Sequence, residues 1–234
     1  MQSLWIGPRL SAMERLCIRS FLAQGHAFHL FVYDEVANVP RGTILQDANA
    51  ILDRSRIFTY TGNGSFAGFA NMFRYKLLLE RGGWWVDLDT VCLRPFAFDD
   101  ECVLASELSR KGEIPANCIL KCDAGSPFAD YVWQACTAKD PTKLVWGETG
   151  PRLVAEAVRT LGLERHLKSA GAFCPVPFFE WGSLLRPAPQ PVFGDDAFAV
   201  HLWHEMWRRA GMDKDANYPA DCPFERLKSR YPES

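Results

Sequence analysis

The chain has 234 residues, 48% of them hydrophobic, with 26 basic against 28 acidic side chains. That length and apolar content suit one α/β domain with a sizeable core. The near balance of charge excludes the basic field of a nucleic-acid binder and the polybasic tail of an anionic-lipid binder, and no run approaches the roughly 20 apolar residues of a membrane span.

The opening Met1-Gln2-Ser3-Leu4-Trp5-Ile6 lacks the charged region and long apolar stretch of a secretory signal, and reads as a first strand. Eight cysteines, at 17, 92, 102, 118, 122, 136, 174 and 222, form no Cys-x-x-Cys pair, and most lie in apolar runs, as small core residues do. Together these features point to reduced thiols in a cytoplasmic protein.

Gly7-Pro8 ends the first strand. Leu10, Met13, Cys17 and Phe21 then recur at helical spacing, which predicts a helix over about 9–24 stopped by Gly25. Phe28 to Tyr33 reads as a second strand, completing a βαβ unit with a parallel pair, and ligands of such sheets bind beyond the carboxyl ends of the strands. Residues 35–62 read as turns with one short helix near 48–52. Ala67 to Arg81 is helical, with Phe66, Phe69, Ala70, Phe73 and Leu77 on one face and Asn71, Arg74 and Leu78 on another. Gly82-Gly83 stops that helix and turns the chain into a buried strand, Trp84-Trp85-Val86. Further on, 102–106 and 118–122 read as strands, Ser126-Pro127 and Thr149-Gly150-Pro151 open helices, and 197–203 reads as a last strand. Residues 172–194, with five prolines, read as an extended apolar loop, and the tail from Asp213 reads as polar and irregular.

Asp87 and Asp89 follow the buried strand at i and i+2, so both carboxylates face one side. Two carboxylates on one side raise each other's pKa unless a cation sits between them. A hard divalent ion, Mn²⁺ or Mg²⁺, fits that arrangement and takes one or two carboxylates plus substrate phosphates. The bare tripeptide, taken alone, reads more simply as a strand running into a turn with solvated Asp residues. Paired Asp residues at a strand end also serve metal-dependent phosphohydrolases, although those bring more early carboxylates or histidines, which are absent here.

The longer run from Phe69 to Asp89 resembles the signature of sugar transferases of the family 32 type, which carry an Asp-x-Asp motif and are distantly similar to the glucosylating domain of the large clostridial toxins. Arg74, Tyr75, Gly82, Gly83, Asp87 and Asp89 match its pattern. Trp5-Ile6-Gly7 resembles the family's opening strand, and His201-x-x-His204-x-x-Trp207 its closing element. The match departs at Asn71, where the family has an Asp that touches the donor's sugar, and at Met206, where Ser is common.

The resemblance implies a GT-A fold over residues 1–212, a single Rossmann-like α/β domain with a mostly parallel sheet and helices on both faces, followed by the tail 213–234. It implies retaining transfer of a hexose from a nucleotide sugar, a UDP-sugar above all, to a saccharide or lipid-linked acceptor, with peripheral membrane association through that acceptor. Asp87, Asp89 and Arg74 are the implied catalytic residues. The donor is expected against Trp5, Ile6, Gly7, Asn71, Arg74, Tyr75, Trp85, Asp87, His204 and Trp207. The ion is expected on Asp89 and Asp87, with His201 and His204 beside it. The two histidines and two tryptophans of 201–207 further suggest a segment that closes over the donor, with the proline-rich loop before it giving freedom to move. A non-catalytic nucleotide-sugar-binding module remains the other alternative; it would keep Trp5 and lose the carboxylates.

Overall fold

A computed structural model describes residues 1–188 and 193–233. The chain enters through β1 (Gln2–Trp5), crosses in α1 (Ala12–Ala23), and returns in β2 (His29–Val32) parallel to β1, with Leu4 beside Phe31. Ser11 begins α1 through a capping box with Glu14, which uses one carboxylate to occupy the first free backbone donors.

β3 (Ile44–Asp47) then adds in parallel on the outer side of β2. Turns were expected here. The strand exposes Ile44 and Leu45 at the sheet edge, so it carries no buried alternation by which sequence could reveal it. The short helix near 48 is a single 3₁₀ turn, Ala48–Ala50.

α2 (Ala67–Arg81) has the bounds the sequence predicts, and Gly82 ends it at φ 62°. A side chain at Gly82 would run into the backbone of Ala124, so only glycine permits this close approach. The chain passes directly into β4 (Gly83–Val86), parallel to β1, then through Asp87-Leu88-Asp89 into β5 (Thr90–Cys92). β6 (Val103–Ser109) and β7 (Gly112–Cys122) form an antiparallel hairpin, and β7 pairs antiparallel with β4, Trp85 beside Leu120.

The sheet order is therefore β3-β2-β1-β4-β7-β6, with its first four strands parallel. Successive strand residues feed opposite cores. Leu30, Val86 and Ile119 face the core that holds α1, while Phe31, Trp85 and Leu120 face the core that holds α2. α3 (Pro127–Thr137) and α4 (Pro151–Leu161) complete that second layer through Phe128, Val132, Leu153 and Val154. Each such fully buried apolar side chain contributes about 1.5–3 kcal/mol.

The stretch 172–194, expected to be an extended loop, is largely helical where it is described. α5 (Ala170–Phe173) leads into a 3₁₀ segment, Phe178–Leu185, whose aromatic and leucine side chains need an inner face to pack. Pro189 and Pro191 lie outside the described residues. The last strand, β8 (Ala199–His201), is shorter than the predicted 197–203 because the chain turns at Trp203 into α6 (His204–Arg209). β8 pairs with β5 in a small separate ladder, Thr90 beside His201.

The tail is not irregular throughout. α7 (Pro223–Arg230) packs Phe224 and Leu227 into the α1 core, an amphipathic helix whose N-terminal proline suits its first turn. All eight cysteines are unpaired and buried, and no helix among the described residues is long and apolar enough to cross a membrane.

Candidate active site

β1 and β4 are neighbours in the sheet and run the same way, so Trp5-Ile6-Gly7 and Asp87-Leu88-Asp89 leave it at the same end. Three backbone hydrogen bonds hold the carboxylate turn. Asp87 N–H donates to Cys118 O (2.8 Å), Thr90 N–H to Asp87 O (3.0 Å), and Leu202 N–H to Asp89 O (2.7 Å).

Each carboxylate has one oxygen pinned. Asp87 Oδ1 accepts from Arg74 Nη2 (2.5 Å) and Trp85 Nε1 (2.7 Å). Asp89 Oδ2 accepts from His201 Nε2 (3.1 Å) and from the His204 backbone N–H (2.8 Å). Among the described residues no hydrogen bond reaches Asp87 Oδ2 or Asp89 Oδ1. These are hard oxygen donors on neighbouring carboxylates, and carboxylate oxygens of both residues come within 4.8 Å of each other and of a His201 ring nitrogen. That donor set fits a divalent ion of the Mn²⁺ or Mg²⁺ kind.

Electrostatics divide the pair. Burial raises the Asp87 carboxyl, with Asp89 adding to the rise and Arg74 opposing it; the net direction is upward. Burial also works against Asp89, but the charge and hydrogen bond of His201 and the amide and charge of His204 outweigh it, and Asp89 lies well below the usual carboxylate range. His201 is penalised by burial, yet the charge and hydrogen bond of Asp89 lift it to about 10. At neutral pH His201 is thus a cation facing Asp89, and it can ligate an ion only after giving up its proton.

His201 Nδ1 is buried with no partner, on a ring that also converges with Cys118 and Cys174, whose sulfurs are 3.5 Å apart. Its hydrogen-bond contact with Cys174, and then burial, hold the Cys118 thiol well above its ordinary pKa, so Cys118 stays protonated.

Arg74 is 3% exposed and sits deep in the wall. Its other amino group donates to Asn117 O (2.7 Å), and its guanidinium lies 4.7 Å from the centre of the Trp85 ring. This places it as the counter-ion of Asp87, farther from solvent than a donor-facing group would be. Trp85, 2% exposed, acts on Asp87 through its indole N–H and touches no open space. Tyr75 is wholly buried, its hydroxyl donating to Thr149 O (2.8 Å). Asn71 accepts from the Asn117 side chain (2.9 Å) and donates to Thr149 Oγ1 (3.3 Å). A Cβ on Gly150 would press on both amides at 3.3–3.4 Å.

Asn117, Thr149 and Gly150 therefore belong to the wall of the site and were not anticipated. The one local signal was Asn117 itself, a polar residue at the head of an apolar strand run.

Trp5 is half-buried, its Nε1 enclosed without a partner. Gly7 has φ 153°, and a Cβ there would meet that nitrogen at 3.3 Å, so a side chain would crowd the indole edge. Ile6, also half-buried, packs toward the α2 core.

Two expectations for the closing segment are corrected. Trp207 is 0% exposed, donates to Leu202 O (2.8 Å), and stacks edge-on with Phe224 and Tyr218, so it is a core indole and covers no ligand. His204 serves Asp89 through its backbone N–H, and its ring is no part of the metal-type cluster. Trp203 is likewise held inward by Val176 O (2.8 Å); its left-handed backbone (φ 61°) is a strained conformation for a bulky residue, and it aims the His204 amide at Asp89.

A cleft of about 450 Å³ lies elsewhere, between α1 and α7, and its lining charges Arg15, Arg19, Glu225, Lys228 and Glu233 are paired with one another.

No protein-family profile matches this chain, and neither does any curated protein. Among solved structures it is similar to one described as the PaToxG glycosyltransferase, with a TM-score of 0.52, 14% identity, and coverage of 70% of each chain. The fold is of the GT-A glycosyltransferase type. At that identity the likeness concerns architecture: a GT-A sheet whose carboxyl ends carry, in this chain, Trp5 on one strand and the Asp87/Asp89 turn on the next.

Proposed function

We propose that the chain is a metal-dependent glycosyltransferase that moves a hexose from a nucleotide sugar, a UDP-sugar first, to a saccharide or lipid-linked acceptor with retention at the anomeric carbon. The observation that carries this reading is the pair of free oxygens, Asp87 Oδ2 and Asp89 Oδ1, on carboxylates whose other oxygens are locked, at the carboxyl end of a GT-A sheet. The resemblance of the Phe69–Asp89 run to family 32 transferases points the same way.

Transfer breaks the bond between the anomeric carbon and a diphosphate, and charge builds on the leaving group as the sugar becomes cationic. Asp87 and Asp89 would hold the divalent ion, which supplies positive charge against the leaving diphosphate. Arg74 and His201 keep both carboxylates fixed and compensated, so the site needs no reorganisation when the bond breaks. Trp5 offers an indole face to the base. Asn71 puts a neutral amide where the family pattern has a carboxylate, in a polar wall with the Asn117 amide and the Thr149 hydroxyl, which bears on the choice of sugar. The acceptor reading and a cytoplasmic location belong to the same proposal.

The test is a thermal-shift screen of nucleotide sugars with Mn²⁺. A donor at 100 times its Kd adds about 2.7 kcal/mol of stability, and EDTA should remove the gain. A shift with phosphate monoesters and none with nucleotide sugars would favour a phosphohydrolase instead.

A further inference from the structure

The segment after α6 crosses the sheet end that carries Trp5. Asp215 accepts the Ala12 N–H (2.7 Å), and Arg9 reaches its carboxylate (3.3 Å). Lys214 Nζ lies 5.4 Å from the centre of the Trp5 ring and pairs with Glu14 at 2.5 Å. Glu14 is 2% exposed and also accepts Ser11 N–H (2.8 Å). Lys214 thus lies on Trp5 at the end of β1, and the interval from there to the Asp87/Asp89 turn at the end of the neighbouring β4 starts beside it.

A diphosphate joining a base on Trp5 to an ion on Asp87 and Asp89 must cross that interval. The usual backbone answer to a phosphate is the N-terminus of the first helix. Here its leading amides are already taken, Ser11 N–H by Glu14 and Ala12 N–H by Asp215. Arg74 is buried and committed to Asp87 and Asn117. Lys214, one-fifth exposed, retains an open face and free donors.

We propose that Lys214 is a diphosphate-binding residue of the donor site, held on Trp5 and Glu14 until the nucleotide arrives. This rests on the nucleotide-sugar reading above. The segment 213–215 then becomes part of the nucleotide site, and the Lys214 ammonium must slide off the indole face as a base takes it.

The experiment is calorimetric titration with Mn²⁺ present, using UDP against uridine and GDP against guanosine. For whichever base the wild type binds, Lys214→Met should weaken the diphosphate by about 10–100-fold, the loss of one hydrogen bond to a charged group, and leave the nucleoside as tight or tighter, since no ammonium then occupies the indole face. Lys214→Arg should recover most of the loss. Glu14→Gln keeps the capping box but releases the lysine, and should bind the diphosphate more tightly than wild type with the nucleoside unchanged; this variant decides the matter if Lys214→Met does not fold. Wild-type or tighter diphosphate binding in Lys214→Met, or equal loss of nucleoside and diphosphate, would overturn the assignment and leave the donor reading standing. Failure of the wild type to bind either diphosphate would sink both.

Discussion

Asp87 and Asp89 are chemically alike and differently employed. Asp87 is tied into the wall by Arg74 and Trp85, whereas Asp89 faces a cationic His201 and a main-chain amide. Two substitutions should separate structure from chemistry. Arg74→Met removes the counter-ion of a buried carboxylate and should cost about 3–5 kcal/mol of stability, read by denaturant unfolding. Asp89→Asn keeps the shape, removes one charge that would hold the ion, and should lower kcat about 10²–10³-fold in a folded protein. A stable Arg74→Met protein, or near-normal turnover in Asp89→Asn, would reverse these assignments. Both carboxylates and Arg74 were legible in the sequence because strand and helix periods are local rules. Trp85 as the partner of Asp87 was half legible: spacing i, i+2 puts the two on one face, but the indole N–H direction is a packing result. Asn117 and Thr149 lie 43 and more residues beyond Arg74 and reach the wall only through the antiparallel return of β7 and the start of α4.

The elements that meet at Asp89 come from distant parts of the chain, β5 pairing with β8 and α6 starting at His204. The Asp89–His201 pair couples them, and its pH dependence follows from the shifts. His201, raised from 6.5 to about 10, stabilises fully below pH 6.5, and that contribution is lost as pH rises through 10. Asp89, depressed, contributes above its ordinary 3.8 and loses its contribution only in strong acid. In EDTA the melting temperature should therefore decline between pH 6.5 and 10, and His201→Asn should flatten that decline; an equal slope in both proteins would show that the pair does not link these strands. The ordering of strands and helices was readable over most of the chain up to residue 161, where apolar periodicity is strong, apart from β3 and the short β5. It failed at β3, whose apolar residues face solvent, and over 172–185, where aromatic richness without clear period hid α5 and a 3₁₀ segment. Trp207 was read as a lid residue on its motif, but Phe224 and Tyr218 from the tail enclose it, a contact no local pattern could reveal.

At the scale of the molecule, a parallel half-sheet places Trp5 and the carboxylate turn side by side, an antiparallel half supplies the wall, and the C-terminal segment lays Lys214 on Trp5 and packs α7 into the core beside α1. This division explains why the N-terminal two-thirds carries most of the motif and why the tail, polar in composition, still packs on the domain. The central claim is transfer of a hexosyl group at Asp87 and Asp89 with a divalent ion. Proton NMR of a nucleotide sugar incubated with the protein and Mn²⁺ tests it most directly, because one spectrum shows both loss of the donor and the anomer first released. Slow cleavage to nucleoside diphosphate and a sugar of the donor's own anomeric configuration, abolished by EDTA and by Asp89→Asn, is the predicted result. Unchanged donor in the presence of Mn²⁺, or cleavage that persists in EDTA or in Asp89→Asn, would contradict it.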